Sequence, residues 1–436
     1  MTLAFHLGRV YTLSLAELYA VFALKKVTWR IKELFGEVLI AETDQSLDVA
    51  SLQKRLGGII KIIQIIDVIP LRGKLPNSLS AVTQSYFHIN ILKSLYLAES
   101  SNKTQFGVSI YPLDRKIRLF GLNKKIGLDI KKTMQSAGIS CRLVIPEGIS
   151  LALPSVAVTN NLILERGAEI DLVVSEKLVY VGKTLTVQDF ADYGRRDYQR
   201  PLRDARVGML PPKVAQVMVN LARFPPDEKR LAHSFLLDPF CGSGTILQEA
   251  MLMGYRVLGS DASEKAVAGA EQNLGWIRTR YKLSPNRFEV VVSDVADLSK
   301  NISGKTLLGV VSEGTLGPPY EKPPEGKEVE ANLKKLGQTY LAAFKQFKKI
   351  LQPGQKVVMA LPAYRMGEQY WFLQIIDKIA KLGYDIVDPL PEKLLARYGF
   401  LKVTKRNSII YDRKDQIVVR EIIIFQQKAN KIPAKS

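Results

Sequence analysis

Cysteine and histidine are scarce in this chain: two cysteines, Cys141 and Cys241, and three histidines among 436 residues. Two thiols cannot build a disulfide framework, and the spacing offers no tetrahedral Cys/His zinc site. Long apolar runs are missing as well. The tract Ile59–Ile69 is interrupted by Lys61, Gln64 and Asp67, so nothing there spans a bilayer. The opening Met1-Thr2-Leu3-Ala4-Phe5-His6 lacks the charged and apolar regions of a signal peptide. These absences predict a reduced cytoplasmic protein with no resident metal and no membrane partner. Acidic residues are also in deficit, 42 against 62 Lys and Arg, for a formal net charge of +20. That imbalance predicts a polyanionic partner, of which nucleic acid is the commonest. With 47% hydrophobic residues over this length, two or three domains can each bury a core.

What is present begins with Leu236-Leu237-Asp238-Pro239-Phe240-Cys241-Gly242-Ser243-Gly244-Thr245-Ile246-Leu247. Two apolar residues run into an acid, a small-residue turn, then apolar residues at helical spacing: strand, glycine loop, helix, the opening unit of a doubly wound α/β domain. Gly242 and Gly244 are expected to let the backbone approach a ligand. A second strand, Arg256 to Asp261, again ends in an acid, and a third, Phe288-Glu289-Val290-Val291-Val292-Ser293-Asp294-Val295, carries another terminal acid. An acid ending the second strand can hold a ribose hydroxyl pair. Three acids at one sheet edge describe a nucleoside crevice. The loop lacks a full G-x-G-x-x-G pattern and has Asp238 before it, which disfavours NAD and its pyrophosphate. S-adenosylmethionine, with a ribose, an adenine and an amino-acid tail but no phosphate, fits better.

The stretch Asp238 to Thr245 resembles the first motif of methyltransferases that modify exocyclic amines of bases. With its flanks, the chain resembles the THUMP-domain tRNA guanine-N2 methyltransferases from about residue 1 to about residue 425. The resemblance implies an α/β protein in which a Rossmann-like methyltransferase domain (209–428) follows a ferredoxin-like domain (1–69), a THUMP domain (81–185) and a linker (186–208). It implies S-adenosylmethionine as cofactor and tRNA as partner, and a monomer is the favoured state. The cofactor residues it implies are Leu210, the loop Asp238, Pro239, Phe240, Cys241, Gly242, Ser243, Gly244 and Thr245, then Asp261, Ala262, Asp294 and Val295. Asp261 would take the ribose, Asp294 the adenine end and the glycine loop the methionine portion.

Taken in order, the first segment reads as strands near 3–10, 26–30, 37–41 and 58–69 with helices at 15–22 and 47–56, the β-α-β-β-α-β ferredoxin-like pattern. Ser14 with Glu17 reads as a helix capping box. Residues 70–80 form a turn-rich connector. The second segment has strands at 106–111, 141–144, 155–158, 169–174 and 178–181, and a helix at 127–138. Its phosphate-contact candidates are Lys124, Lys125, Lys131, Lys132 and Arg142. The joint carries five arginines between 195 and 206, of which Arg195, Arg196, Arg200 and Arg203 are RNA-contact candidates, since arginine pairs bidentately with phosphate. Ion pairing to Asp189 and Asp197 is the equal alternative. Further on, strands are expected at 307–311 and 356–361, helices at 333–351 and 372–382, and a hairpin from 408 to 425, with a frayed basic tail from Lys428.

An exocyclic amine is a poor nucleophile because its lone pair is delocalised into the ring. An acceptor for its N–H bonds localises that pair and stabilises the developing positive charge. The family places Asp or Asn, then Pro-Pro and an aromatic, directly after the fourth strand. This chain reads Val311-Ser312-Glu313-Gly314-Thr315-Leu316-Gly317-Pro318-Pro319-Tyr320. Glu313 matches the acid by position and is the favoured acceptor, backbone carbonyls of the longer loop being the alternative. Pro318, Pro319 and Tyr320 match the rest four residues late, with Tyr320 expected near the base. Cys241 reads as a packing residue. The expected activity is methyl transfer to the N2 amine of a tRNA guanosine, position 10 by family analogy. Alternatives are adenine-N6 methylation of RNA or DNA and tRNA binding without catalysis.

Overall fold

The computed structural model describes residues 1–96, 103–114, 116–203, 208–224, 228–320, 322–413 and 416–428. Arg206 of the joint, Lys414 and Asp415 of the hairpin turn, and the tail beyond Lys428 lie outside the described residues. Contacts divide the chain into two compact units.

The first unit gathers Met1–Tyr11, Val27–Arg55 and Ile59–Ala191. Its strands are β1 (Thr2–Leu7), β2 (Trp29–Phe35), β3 (Val38–Thr43), β4 (Ile59–Pro70), β5 (Thr104–Pro112), β6 (Cys141–Val144), β7 (Gly167–Val174) and β8 (Leu178–Val187). They form one sheet in the order β2-β3-β1-β4-β8-β7-β5-β6. The first four pair as the ferredoxin-like reading requires, with β1 antiparallel to both β3 and β4. The twelve-residue β4 also pairs β8, so the segments 1–69 and 81–185 share a continuous sheet. Strand β7 is buried along its whole length, which suits a near-continuous apolar run covered on both faces.

Within that run Glu169 and Asp171 are fully buried. The Lys61 ammonium is fully buried and ion-paired to Glu169, Ser109 Oγ donates to Glu169 at 2.5 Å, and Thr184 Oγ1 stands within hydrogen-bond distance, 2.8 Å, of one oxygen of each acid. Burial, then the neighbouring Glu169 charge, raises Asp171 well above the ordinary carboxylate range, with Lys61 opposing.

Two local expectations are corrected here. Residues 155–158, read as a strand from their valines, begin a helix, Ser155–Asn160. Pro154 is extended at its start, and its carbonyl accepts from Ala157 N and Val158 N at 2.9 and 3.2 Å, so the turn geometry overrides β-propensity. The connector expected through residue 80 ends earlier, at a helix Asn77–Tyr86.

The second unit comprises Thr12–Lys26, Leu56–Gly58 and the residues described from Asp192 onward. Its strands are β9 (Phe235–Asp238), β10 (Arg256–Asp261), β11 (Phe288–Val292), β12 (Leu307–Glu313), β13 (Lys356–Met366), β14 (Gln369–Phe372), β15 (Tyr384–Ile386), β16 (Ile409–Tyr411) and β17 (Val418–Gln427). The path runs β11-β10-β9-β12-β13-β17-β15, with β14 beside β13 and β16 beside β17. Strands β9 to β13 pair in parallel, while β17 runs antiparallel to β13 and β15. The winding reverses between β9 and β12, which opens a crevice at their carboxyl ends. The helix Gly326–Ile350 covers one face. Its Phe344 ring meets Phe425 and Tyr384 edge-on, with centroids 4.9 and 5.2 Å apart.

The joint 186–208 contains a helix, Phe190–Tyr198. Two further expectations are corrected here. Phe372 closes the β13–β14 hairpin, so the expected helix 372–382 shrinks to Ile376–Lys381. The first helix begins at Tyr11, which puts Ser14 inside it rather than at a cap. Glu17 instead accepts from Gly57 N, Gly58 N and Asn220 Nδ2 at 2.9, 2.8 and 2.7 Å, fully buried.

Candidate active site

The crevice at the carboxyl ends of β9, β10 and β12 is a cavity of about 1040 Å³ within the second unit. Asp238 to Ser243, Thr245, Asp261, Ala262, Asp294 and Val295 line it, as do Leu210 and, from the end of β12, Glu313 to Leu316. Of the sequence-derived cofactor residues, only Gly244 is missing from the walls. Its backbone is left-handed, with φ +86°, at the start of the helix Thr245–Leu252, and a β-carbon there would meet Ala270 at 3.4 Å. Gly244 therefore serves the turn and helix packing. Gly242 is left-handed as well, φ +49°, with open space where a β-carbon would stand, so backbone conformation rather than clearance asks for glycine.

The three strand-end acids differ in their bonding. Asp238 is 2% exposed, accepts from Ser312 Oγ at 2.5 Å and from Phe240 N at 3.3 Å, and is pushed up to about 7 by burial, with Ser312 and Phe240 opposing. Asp261 Oδ2 accepts from Gly242 N and Oδ1 from Ser263 N, each at 3.0 Å, which ties the glycine loop to β10. Asp294 is exposed and accepts from Ala296 N at 2.8 Å, starting a short 3₁₀ turn. The Cys241 thiol is buried and pushed well up by burial, then by Asp238 and Asp261, which suits packing rather than nucleophilic attack.

Glu313 ends β12 with its side chain 15% exposed, and Arg420 of β17 forms an ion pair to its Oε1. Arg420 is 2% exposed at its side chain and also donates from Nη2 to Gly208 O at 2.6 Å. Burial raises the Glu313 carboxyl, and the Arg420 charge and hydrogen bond pull it down. The following loop is pinned from below. Tyr340 OH donates to Thr315 O at 3.1 Å, and a β-carbon on Gly314 would lie 2.5 Å from that hydroxyl. Tyr320 turns toward the helix Gly326–Ile350, where its hydroxyl donates to Glu328 at 2.8 Å and accepts from Asn332 at 2.5 Å. Pro318, Pro319 and Tyr320 do not line the cavity; the loop is anchored by its tyrosine.

The basic candidates separate into two groups. Lys124, Lys125, Lys132 and Arg142 are exposed and Lys131 is half-buried. Arg203 is exposed with its guanidinium 4.6 Å from the Tyr198 ring centroid, and Arg195 pairs with Asp192 at 3.0 Å. Arg196 and Arg200 are corrections. Arg196 is 6% exposed, bound bidentately to Glu249 at 2.8 and 3.1 Å and paired to Asp192. Arg200, 4% exposed, donates to Thr245 Oγ1 at 2.7 Å. Both hold the joint to the helix after the glycine loop, so neither guanidinium is open to phosphate. Among the described residues no cluster of His, Cys, Asp and Glu could hold a metal ion, and no helix is long and apolar enough to cross a membrane.

Residues 200–376 match the UPF0020 family model, described as an RMKL-like methyltransferase domain. The second unit has a methyltransferase fold. The chain is similar in fold to the crystal structure of TrmN from Thermus thermophilus, with a TM-score of 0.54 at 15% identity over 98% of this chain and all of that one. Among curated proteins, the chain is 35% identical over 126 residues to the tRNA (guanine(10)-N2)-dimethyltransferase of Pyrococcus abyssi, 29% of this chain and 31% of that protein. It is 42% identical over 91 residues to the protein of the same name from Methanothermobacter thermautotrophicus, 21% of this chain and 24% of that protein. The matched stretches thus span less than a third of either relative.

Sequence reasoning missed Arg420, Tyr340 and Ser312, which hold Glu313, its loop and Asp238. Arg420 did leave a signal: Arg420-Glu421 is a charged pair inside the apolar run Val418 to Phe425.

Proposed function

We propose that this chain transfers a methyl group from S-adenosylmethionine to the N2 amine of a tRNA guanosine, with position 10 as its target. One observation carries the reading: Glu313, an acceptor at the end of β12, lines the same cavity as the strand-end acids Asp238, Asp261 and Asp294. A nucleoside crevice and an acceptor for an incoming amine thus share one wall. The names of the curated relatives, tRNA (guanine(10)-N2)-dimethyltransferases, support the substrate and the position, and make a second methylation of the same amine the expected end point.

The cavity chemistry fits the cofactor. Its volume is that of a small-molecule site, its walls are largely apolar, and its acids stand where a ribose and a cationic amino-acid tail need acceptors. S-adenosylmethionine supplies a methyl group already activated by its sulfonium. The protein's residues supply the rest. Asp261 offers its remaining lone pairs to the ribose, Asp294 faces the adenine end, and Asp238 with the loop to Thr245 takes the methionine portion. Glu313 accepts from the target amine and stabilises the positive charge that grows on it. Leu316 and the loop behind it hold the base side of the site.

In this reading the domains are those expected from the sequence, 1–69, 81–185, 186–208 and 209–428, and the first two bind tRNA. Lys124, Lys125, Lys132 and Arg142 contact phosphates and fix which nucleotide reaches the cavity. The setting is the cytoplasm. The test is methyl transfer from labelled S-adenosylmethionine to unmodified tRNA transcripts, read by nucleoside mass spectrometry. Label in N2-methylguanosine or N2,N2-dimethylguanosine is expected. Label in N6-methyladenosine, or none despite tight S-adenosylhomocysteine binding, overturns the proposal.

A further inference from the structure

We propose that Arg420 is a positioning residue that holds Glu313 as an acceptor-only carboxylate, and that this pair selects guanine over bases lacking an N1 proton; the inference rests on the guanosine-N2 reading above. Arg420 stands on β17 and Glu313 on β12, with β13 between them. The register puts Glu313 opposite Ala360, and Ala360 opposite Ile422, two positions along from Arg420. Two strand spacings of roughly 4.8 Å separate the backbones, a reach that suits a long side chain. Arg420 ends on Glu313 Oε1 and on Gly208 O, so it joins the acceptor to the segment that leads into Met209 and Leu210 of the cavity wall. Its neighbour Glu421 does not compete for it, being bound to Ser408 Oγ at 2.7 Å and to Arg406 at 3.4 Å.

A guanidinium only donates, so the oxygen it holds must accept. Glu313 Oε2 has no protein donor among the described residues, and the side chain lines the cavity. The Arg420 charge favours the ionised carboxylate, and in that form Oε2 presents acceptors alone. Guanine offers N1–H and N2–H side by side, donors that match it. Adenine and 2-aminopurine each set an amine beside an N1 lone pair, which an anionic oxygen repels. In the transfer, the N2 lone pair forms the N–CH₃ bond as the S–CH₃ bond breaks, and the electrons of that bond stay on sulfur. One N2 proton then leaves to Glu313 and on to water. The charged and titratable groups facing Glu313 are Arg420 on β17, Asp238 on β9 and Tyr340 on the helix Gly326–Ile350. Burial raises Glu313 and Arg420 alone opposes it, so loss of Arg420 moves Glu313 further up.

The test compares full-length wild type, R420K, R420Q and E313Q on transcripts carrying guanosine or 2-aminopurine at the target, both of which keep the 2-amine. S-adenosylhomocysteine affinity is measured alongside by calorimetry. For R420Q, cofactor affinity is expected to hold while kcat falls roughly 100-fold with little change in KM. At saturating cofactor its acid limb should move to higher pH, and the preference for guanosine, about 100-fold in wild type, should narrow. R420K should keep the limb. An R420Q enzyme that retains both the limb and the preference makes Arg420 merely structural and overturns the inference. Should R420Q fail to fold, E313Q decides: a guanosine preference unchanged from wild type overturns it equally. Wild type that forms no N2-methylguanosine removes the underlying reading instead.

Discussion

Two buried cation–glutamate pairs, one in each sheet, use the same chemistry to opposite ends. Lys61 and Glu169 in the first unit are both fully buried, and Ser109 and Thr184 take further acceptor positions of the glutamate. Arg420 and Glu313 in the second unit leave the glutamate 15% exposed, on the wall of a cavity. A fully buried network is closed to a ligand and can only organise the strands around it. An open one keeps a reactive edge while its back is fixed. Charge pairing alone does not mark a functional site; what matters is whether an acceptor remains for something not yet bound.

The comparison breaks most visibly at Lys61. Lys61→Met leaves Glu169 buried without its cation and should destabilise the protein by about 3–5 kcal/mol in urea melts, while methyl transfer per folded molecule stays near wild type. Glu313→Gln should do the reverse, since the amide oxygen still accepts from Arg420. Its denaturation midpoint should barely move, and its kcat should fall about 100-fold or more.

Asp238 sharpens the contrast through pH. Its carboxyl rises from 3.8 to about 7 on folding, so the native state holds a proton that the unfolded state has released across that interval. Its contribution to stability is full below the unfolded value and is lost as pH rises toward about 7. Binding should run the other way. S-adenosylhomocysteine, with its ammonium, should bind more tightly as pH rises to about 7 and then level off, and Asp238→Asn should flatten that rise. The smallest effects belong to the surface lysines. Alanine at Lys124, Lys125 or Lys132 should weaken tRNA binding modestly and make its salt dependence shallower, by about 0.7–0.9 in log–log slope per lost phosphate contact.

The glycine loop and the strand-end acids were legible because their signal is local. Strand, acid, turn and helix follow one another within twelve residues, and the crevice needs only that order. The ferredoxin-like pattern at the start was legible for the same reason, through its alternation of elements. Arg420 was not, because it lies 107 residues from Glu313 and meets it only through the order of β12, β13 and β17. Arg196 and Arg200 were misread because composition reports charge and not exposure, and their partners Glu249 and Thr245 sit on a different element. Residues 155–158 were misread because their valines favour a strand while the turn after Pro154 closes a helix. Tyr320 matched a motif in sequence, but its hydroxyl found Glu328 and Asn332, and the ring turned from the cavity.

The most direct test of the account is single-turnover methylation of two tRNA transcripts that differ at position 10 alone, one with guanosine and one with inosine, which lacks the 2-amine. Label on the guanosine transcript and none on the inosine transcript is the predicted result. Equal labelling of both would contradict it, since the methyl would then be going to another nucleotide or another atom.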